Sequence, residues 1–160
     1  ANNADAYALE RAKKAGIATE VVLKKVCGSQ LAFEEKLMEV LENHNIDLIV
    51  LAGFMTILTE HFTSRYPKRI LNVHPSLIPS FCGAGFYGLR VHEEALRYGV
   101  RVTGATVHFV NEIPDGGEII AQKAVYIEDG DTPEILQRRV MEQAEWILLP
   151  KAAEKVCAEL

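Results

Sequence analysis

IDLIVLAGF, residues 46–54, is an almost unbroken apolar run set between Asn45 and the Gly53 bend. A strand with one wet face alternates apolar and polar residues; a run without alternation predicts a parallel strand covered on both sides. The pattern around it repeats the theme. Upstream, ADAYALERAKKAGI reads as a helix from about Ala4 to Ala15, with Ala8, Leu9 and Ala12 on one face and Gly16 as its stop. TEVVLKKV, residues 19–26, reads as a short strand, and LAFEEKLMEVLENHN as a helix whose buried stripe is Phe33, Leu37, Val40 and Leu41. Downstream, MTILTEHFTSRY predicts a short helix and RILNVHP the next strand. Such alternation predicts an α/β fold: a doubly wound, mostly parallel sheet with helices on both faces, in a single domain over residues 1–160.

In sheets of this kind ligands bind outside the carboxyl ends of the strands. The strand ending in LNVHPSLIPS, residues 71–80, presents an amide and an imidazole two residues apart, Asn72 and His74, before proline turns the chain. Their place predicts that they face a ligand crevice.

Composition narrows the partners. The 160 residues are 49% apolar with a formal charge of −5 and a pI near 5.6, which gives no electrostatic reason to bind nucleic acid or an anionic membrane. No apolar run reaches the roughly 18 residues that a spanning helix needs. Cys27, Cys82 and Cys157 lie far apart with no C-x-x-C pair. That argues against a zinc site or a disulfide framework and for a reducing, cytoplasmic setting.

The second half carries the remaining candidates. SFCGAGFYG, residues 80–88, has three glycines and no period, which predicts a functional loop. VHEEALRYG predicts a helix stopped at Gly99, and two strands flank the turn chemistry of NEIPDGG, residues 111–117. A long helix follows, capped by Asp131 or Thr132 with Pro133 at its first turn, and Pro150 is expected to kink or restart it. Among the polar residues, His92 opens a helix and reads as surface, while His108 reads equally as an interior or a catalytic histidine. Ser76 lacks a G-x-S-x-G elbow and reads as a turn cap. A metal site from His74, His92, His108 and Asp115 lacks ligand spacing, so none is expected.

LAGFM, ILNVHPSLIPSF, GATVHFVNEIPDGGEII and AEWILLP together resemble the phosphoribosylglycinamide formyltransferases of purine synthesis, over nearly the whole chain. The N-x-H-P-S-L-x-P segment with a downstream D-x-G is specific to the wider group that uses 10-formyltetrahydrofolate. The resemblance implies transfer of a formyl group from that folate to the amine of glycinamide ribonucleotide, with Asn72, His74 and Asp115 as the catalytic trio. In such a site imidazole and carboxamide N–H groups stabilise a developing oxyanion, and the carboxylate favours an imidazolium and relays a proton. No metal is implied, and the partners are small molecules for a monomer or homodimer. The pterin is expected against the backbone of Met55, Thr56, Ile57 and Leu58 and against Asn111, Glu112, Ile113, Pro114 and Asp115, with Asn72 beside it. Gln30 stands near a folate-contacting arginine of many relatives. Glu145 matches a glutamate that binds the substrate ribose, here followed by Trp146 rather than histidine.

The sequence also departs from the family pattern. ANNADAYALE matches the segment after the family's second strand, so the first strand and its Gly-Ser-Asn phosphate loop are expected to be absent by N-terminal truncation. The FCGAGFYGLRV loop is a few residues longer than the common bacterial form. Rival readings are formyltetrahydrofolate hydrolase, whose loop resembles FCGAGFY, methionyl-tRNA formyltransferase, and a folate-binding fragment without turnover.

Overall fold

Four strands form in the computed structural model, which describes residues 1–160: β1 (Ile49–Leu51), β2 (Ile70–His74), β3 (Val102–Phe109) and β4 (Ile119–Tyr126). They make one sheet in the order β1-β2-β3-β4. The α/β class holds, but the pairing is mixed rather than mostly parallel. Only β1 and β2 run parallel, with Ile49 opposite Ile70; β2–β3 and β3–β4 are antiparallel. β2–β3 is antiparallel although its connection contains the helix Leu89–Tyr98; for β3–β4 the reason is the connection. It carries no helix, and strands joined directly can only pair antiparallel.

The chain divides into two compact units, Asp47–Gly53 with Tyr66–Leu160, and Ala1–Ile46 with Phe54–Arg65. The sheet lies in the first of these. With it are α5 (Leu89–Tyr98), α6 (Pro133–Val140), a π-helical turn at Met141–Glu145 and α7 (Trp146–Cys157). Side chains alternate along β2 and β3. Val73, Ala105 and Val125 join Leu136, Val140 and Ala144 in the core. Asn72 and His74 therefore project from the opposite face, with Thr106 and His108 across the register.

The other unit holds α1 (Tyr7–Lys14), α2 (Lys24–Cys27), α3 (Gln30–Asn43) and α4 (Glu60–Thr63). Val22, Phe33, Met38, Leu58 and Phe62 are its buried apolar residues. Ser29 caps α3 by accepting the Ala32 N–H.

Four local expectations are corrected. β1 is three residues long and outermost in the sheet, so Val50 stays 42% exposed instead of being covered on both sides. Residues 19–26 form no strand because none lies beside them; the Val22 N–H goes to the Ala1 carbonyl and α2 begins at Lys24. The helix expected over residues 55–66 shrinks to α4, since the Thr59 N–H is held by Glu34. The helix from Thr132 starts as expected, with the Thr132 hydroxyl accepting the Ile135 N–H and Pro133 in the first turn. Its departure from α geometry comes at Met141–Glu145, a turn before Pro150, which sits inside α7.

Candidate active site

The end of β2 gathers the polar groups. His74 is 4% exposed; its Nε2–H donates to the Phe81 carbonyl at 2.8 Å, and its Nδ1 lies 3.4 Å from Asp115 Oδ2. Directly across the strand pair, Asn72 faces His108, and the Asn72 amide donates to His108 Nε2 at 3.3 Å. The other His108 nitrogen, Nδ1, donates to the Phe109 carbonyl at 2.8 Å. His108 Nε2 is also 3.5 Å from Asp115 Oδ1. Asn72, His74, His108 and Asp115 thus form one cluster.

Local chemistry explains how Asp115 arrives there. The Gly116 N–H bonds back to the Ile113 carbonyl, with Pro114 and Asp115 as the central pair and Asp115 at φ 57°. This is type II turn logic, proline followed by a residue at positive φ, which aspartate tolerates. Gly117 lets the chain pass close to β3: a Cβ there would stand 1.8 Å from the Phe109 carbonyl. Gly83, at φ +85°, turns its N–H onto Asp115 Oδ2 at 2.8 Å. Burial pushes the Asp115 carboxyl up, but the neighbouring His108 ring, the Gly83 amide and the positive charge that His74 and His108 carry when protonated hold it below the ordinary aspartate value.

A scaffold of hydroxyls and amides fixes the segment after His74. The Ser76 hydroxyl donates to the Ser80 carbonyl at 2.5 Å, which suits a turn tie rather than a nucleophile. The Thr106 hydroxyl donates to the Ser76 carbonyl and accepts from the Ile78 N–H and the Gln122 amide. His92, expected at the surface, is instead wholly buried, and neither ring nitrogen has a partner. No three His, Cys, Asp or Glu side chains converge as a metal site would.

The remaining candidates are described within their own units. In the helical unit Met55 and Ile57 are exposed, Leu58 is buried, and Thr56 accepts a hydrogen bond from Asn2. The Gln30 amide is committed to Glu34 at 2.6 Å and to the Ile57 carbonyl at 3.1 Å. In the sheet unit Asn111 accepts the Ile113 N–H and leaves Glu112, Ile113 and Pro114 exposed. Glu145 lies in the π-helical turn, half-buried, and burial pushes its carboxyl up to about 7. Sequence reasoning missed Glu34 and the backbone groups of Phe81 and Gly83. The glycine-rich composition of residues 80–88 was the only signal for the latter.

The chain is similar to known proteins along nearly its whole length. A family described as formyl transferase matches residues 1–152. The chain is 44% identical over 157 residues to the trifunctional purine biosynthetic protein adenosine-3 of Bos taurus, covering 98% of this chain and 15% of that protein. It is 44% identical to the phosphoribosylglycinamide formyltransferase of Haemophilus influenzae, covering 89% of this chain and 65% of that one. The solved phosphoribosylglycinamide formyltransferase of Anaplasma phagocytophilum superposes with a TM-score of 0.87 at 39% identity, over 99% of this chain and 72% of that one. The chain therefore spans a small part of the trifunctional relative and about two thirds of the bacterial one. On the family match, the shared fold and these identities, the chain belongs to the formyl transferase family.

Proposed function

We propose that the protein carrying this chain transfers the formyl group of 10-formyltetrahydrofolate to the amine of glycinamide ribonucleotide. The observation that carries the reading is the cluster at the end of β2, an amide and an imidazole on one sheet face with a carboxylate 3.4 Å from the ring.

The chemistry follows from these groups. The amine nitrogen attacks the formyl carbon, and the carbonyl electron pair moves onto oxygen. The Nδ1–H of a protonated His74, whose Nε2–H is held by the Phe81 carbonyl, and the second N–H of the Asn72 amide donate to that oxyanion. The intermediate collapses by breaking the bond to the folate nitrogen. That nitrogen gains a proton and the former amine loses one, a transfer suited to Asp115 with a bound water. Met55, Thr56, Ile57 and Leu58 are one proposed set of pterin contacts, and Asn111, Glu112, Ile113 and Pro114 another; the exposure of Met55, Ile57, Glu112, Ile113 and Pro114 supports this role. Gln30 is proposed to act indirectly, through its bond to the Ile57 carbonyl. Glu145 is the proposed ribose acceptor, since a carboxyl raised by burial gains from hydroxyl donors that replace lost water.

The test is formyl transfer by the full-length protein and its His74→Ala variant. Loss of one oxyanion donor is expected to lower kcat by about 10²-fold or more. Folate affinity should stay within a few fold, because the donor acts in the transition state. Near-normal turnover would remove His74 from the mechanism, and formate release without the amine would make the activity hydrolytic.

A further inference from the structure

Phe81 is a bulky residue at φ 49°. Side chains of that size avoid the left-handed region unless their surroundings enforce it, so an outlier of this kind is a sign of function. Two rings enforce it. Tyr98, the last residue of α5, meets Phe81 edge-on with centroids 6.1 Å apart, and Phe86 lies 6.3 Å away at 60°. The Phe81 side chain also packs against the core cluster that contains Ala95. The Phe86 N–H closes the loop onto the Gly83 carbonyl at 3.1 Å.

This strained residue delivers one group to the site, its carbonyl. That oxygen accepts the His74 Nε2–H at 2.8 Å and lies 3.4 Å from the Ser76 hydroxyl. Two residues on, the Gly83 N–H holds Asp115. One loop therefore grips both the imidazole and the carboxylate. The carbonyl has no hydrogen to give, so a neutral His74 ring must carry its hydrogen on Nε2. A second proton, which makes the ring an imidazolium, then goes to Nδ1; that N–H faces Asp115 across 3.4 Å, longer than a good hydrogen bond, and is the donor available to a reacting group.

We propose that Ser80–Gly88 is the positioning loop of His74, and that Tyr98, acting through the Phe81 ring and carbonyl, dedicates Nδ1 of His74 to the formyl group. Tyr98 is a positioning residue in this scheme. It is 76% exposed, so its truncation removes little of the core. The kinetic half of the inference rests on the formyl-transfer reading; the structural half does not.

The test compares Tyr98→Ala and Tyr98→Phe in the full-length protein, with Phe86→Leu as a second way to thin the ring cluster. Two properties are read: the ¹⁵N shifts of the His74 ring in its neutral form, and kcat against KM for formyl folate. The parent and Tyr98→Phe should show the Nε2–H tautomer. Tyr98→Ala and Phe86→Leu should mix in the Nδ1–H form and lower kcat by about tenfold with KM within about twofold, an orientation effect at unchanged binding. Unchanged ring shifts in both thinned variants would overturn the positioning role, whatever the rate does. Altered shifts at an unchanged rate would leave the loop as the ring's anchor but overturn His74 as the oxyanion donor. A parent with no formyl transfer would remove the functional reading while the ring shifts still decide the loop.

Discussion

His92 shows how one side chain sets a pH limit on the fold. Its ring is wholly enclosed on the inner face of α5, beside Val91 and Ala95, and both nitrogens lack partners. Burial first, and then the charge of His74, lower its pKa to about 4. An unfolded histidine titrates near 6.5, so between these values the unfolded chain holds a proton that the folded chain does not. The stability is therefore full above about pH 6.5 and falls as the pH drops toward 4, by about 3 kcal/mol across the window. His92→Leu removes both the titration and the unsatisfied nitrogens. It should match or exceed the parent at pH 7.5 and clearly exceed it at pH 5 in urea unfolding; an equal pH slope in both proteins would mean that His92 titrates alike in the folded and unfolded chain. The surface expectation for His92 came from its place near a helix start. The spacing of Val91, His92 and Ala95 already put it on the apolar face, and that signal outranks residue type.

At the scale of elements, α3 works as a clamp on the Met55–Thr59 segment. Gln30 and Glu34 stand one turn apart on its inner face, and Glu34 is wholly buried. Its carboxylate accepts the Thr59 N–H at 2.7 Å, the Thr59 hydroxyl at 2.6 Å and the Gln30 amide at 2.6 Å. Burial pushes the Glu34 carboxyl up, yet the bonds from Thr59 and Gln30 hold it below the ordinary value. Glu34→Ala leaves Thr59 with unpaired donors, at a cost of about 1–3 kcal/mol in stability. Under the proposed function, the loosened segment should raise KM for formyl folate several-fold while kcat, set by the β2 cluster chemistry, moves little. A fall in kcat at unchanged KM would show that the clamp does not serve folate binding. The sequence made α3 legible but not its stripe: of the expected residues only Phe33 is buried, Leu37, Val40 and Leu41 are half-buried, and Glu34 and Met38 are buried beside Phe33. Glu34 was not legible, because the partner that satisfies it is 25 positions away. The same non-locality hid the cross-strand meeting of Asn72 and His108, although the motif itself named Asn72 and His74.

For the molecule as a whole, periodicity carried the α/β class and the β2 site but neither strand direction nor strand cover: β2–β3 is antiparallel across a connection that contains α5, and cover depends on neighbours. That is why IDLIVLAGF reads as a doubly covered strand and yet ends at the sheet margin. The two margins differ. β4 carries Lys123 and Gln122 among its residues, whereas β1 is Ile-Val-Leu without a charge and with Val50 exposed. Unpaired backbone groups beside bare apolar side chains favour edge-to-edge pairing, and a lysine on the edge opposes it. The 160-residue chain should therefore self-associate increasingly with concentration in sedimentation velocity. Val50→Lys should shift it toward a single species of 17.8 kDa, with the His74 ring signals unchanged because Val50 pairs with Leu71 and so lies on the sheet face opposite His74. Charging the opposite margin instead, by Ile119→Lys, should have a smaller effect, since that edge already bears a lysine. Equal relief by both substitutions would assign the association to general surface apolarity rather than to the β1 edge.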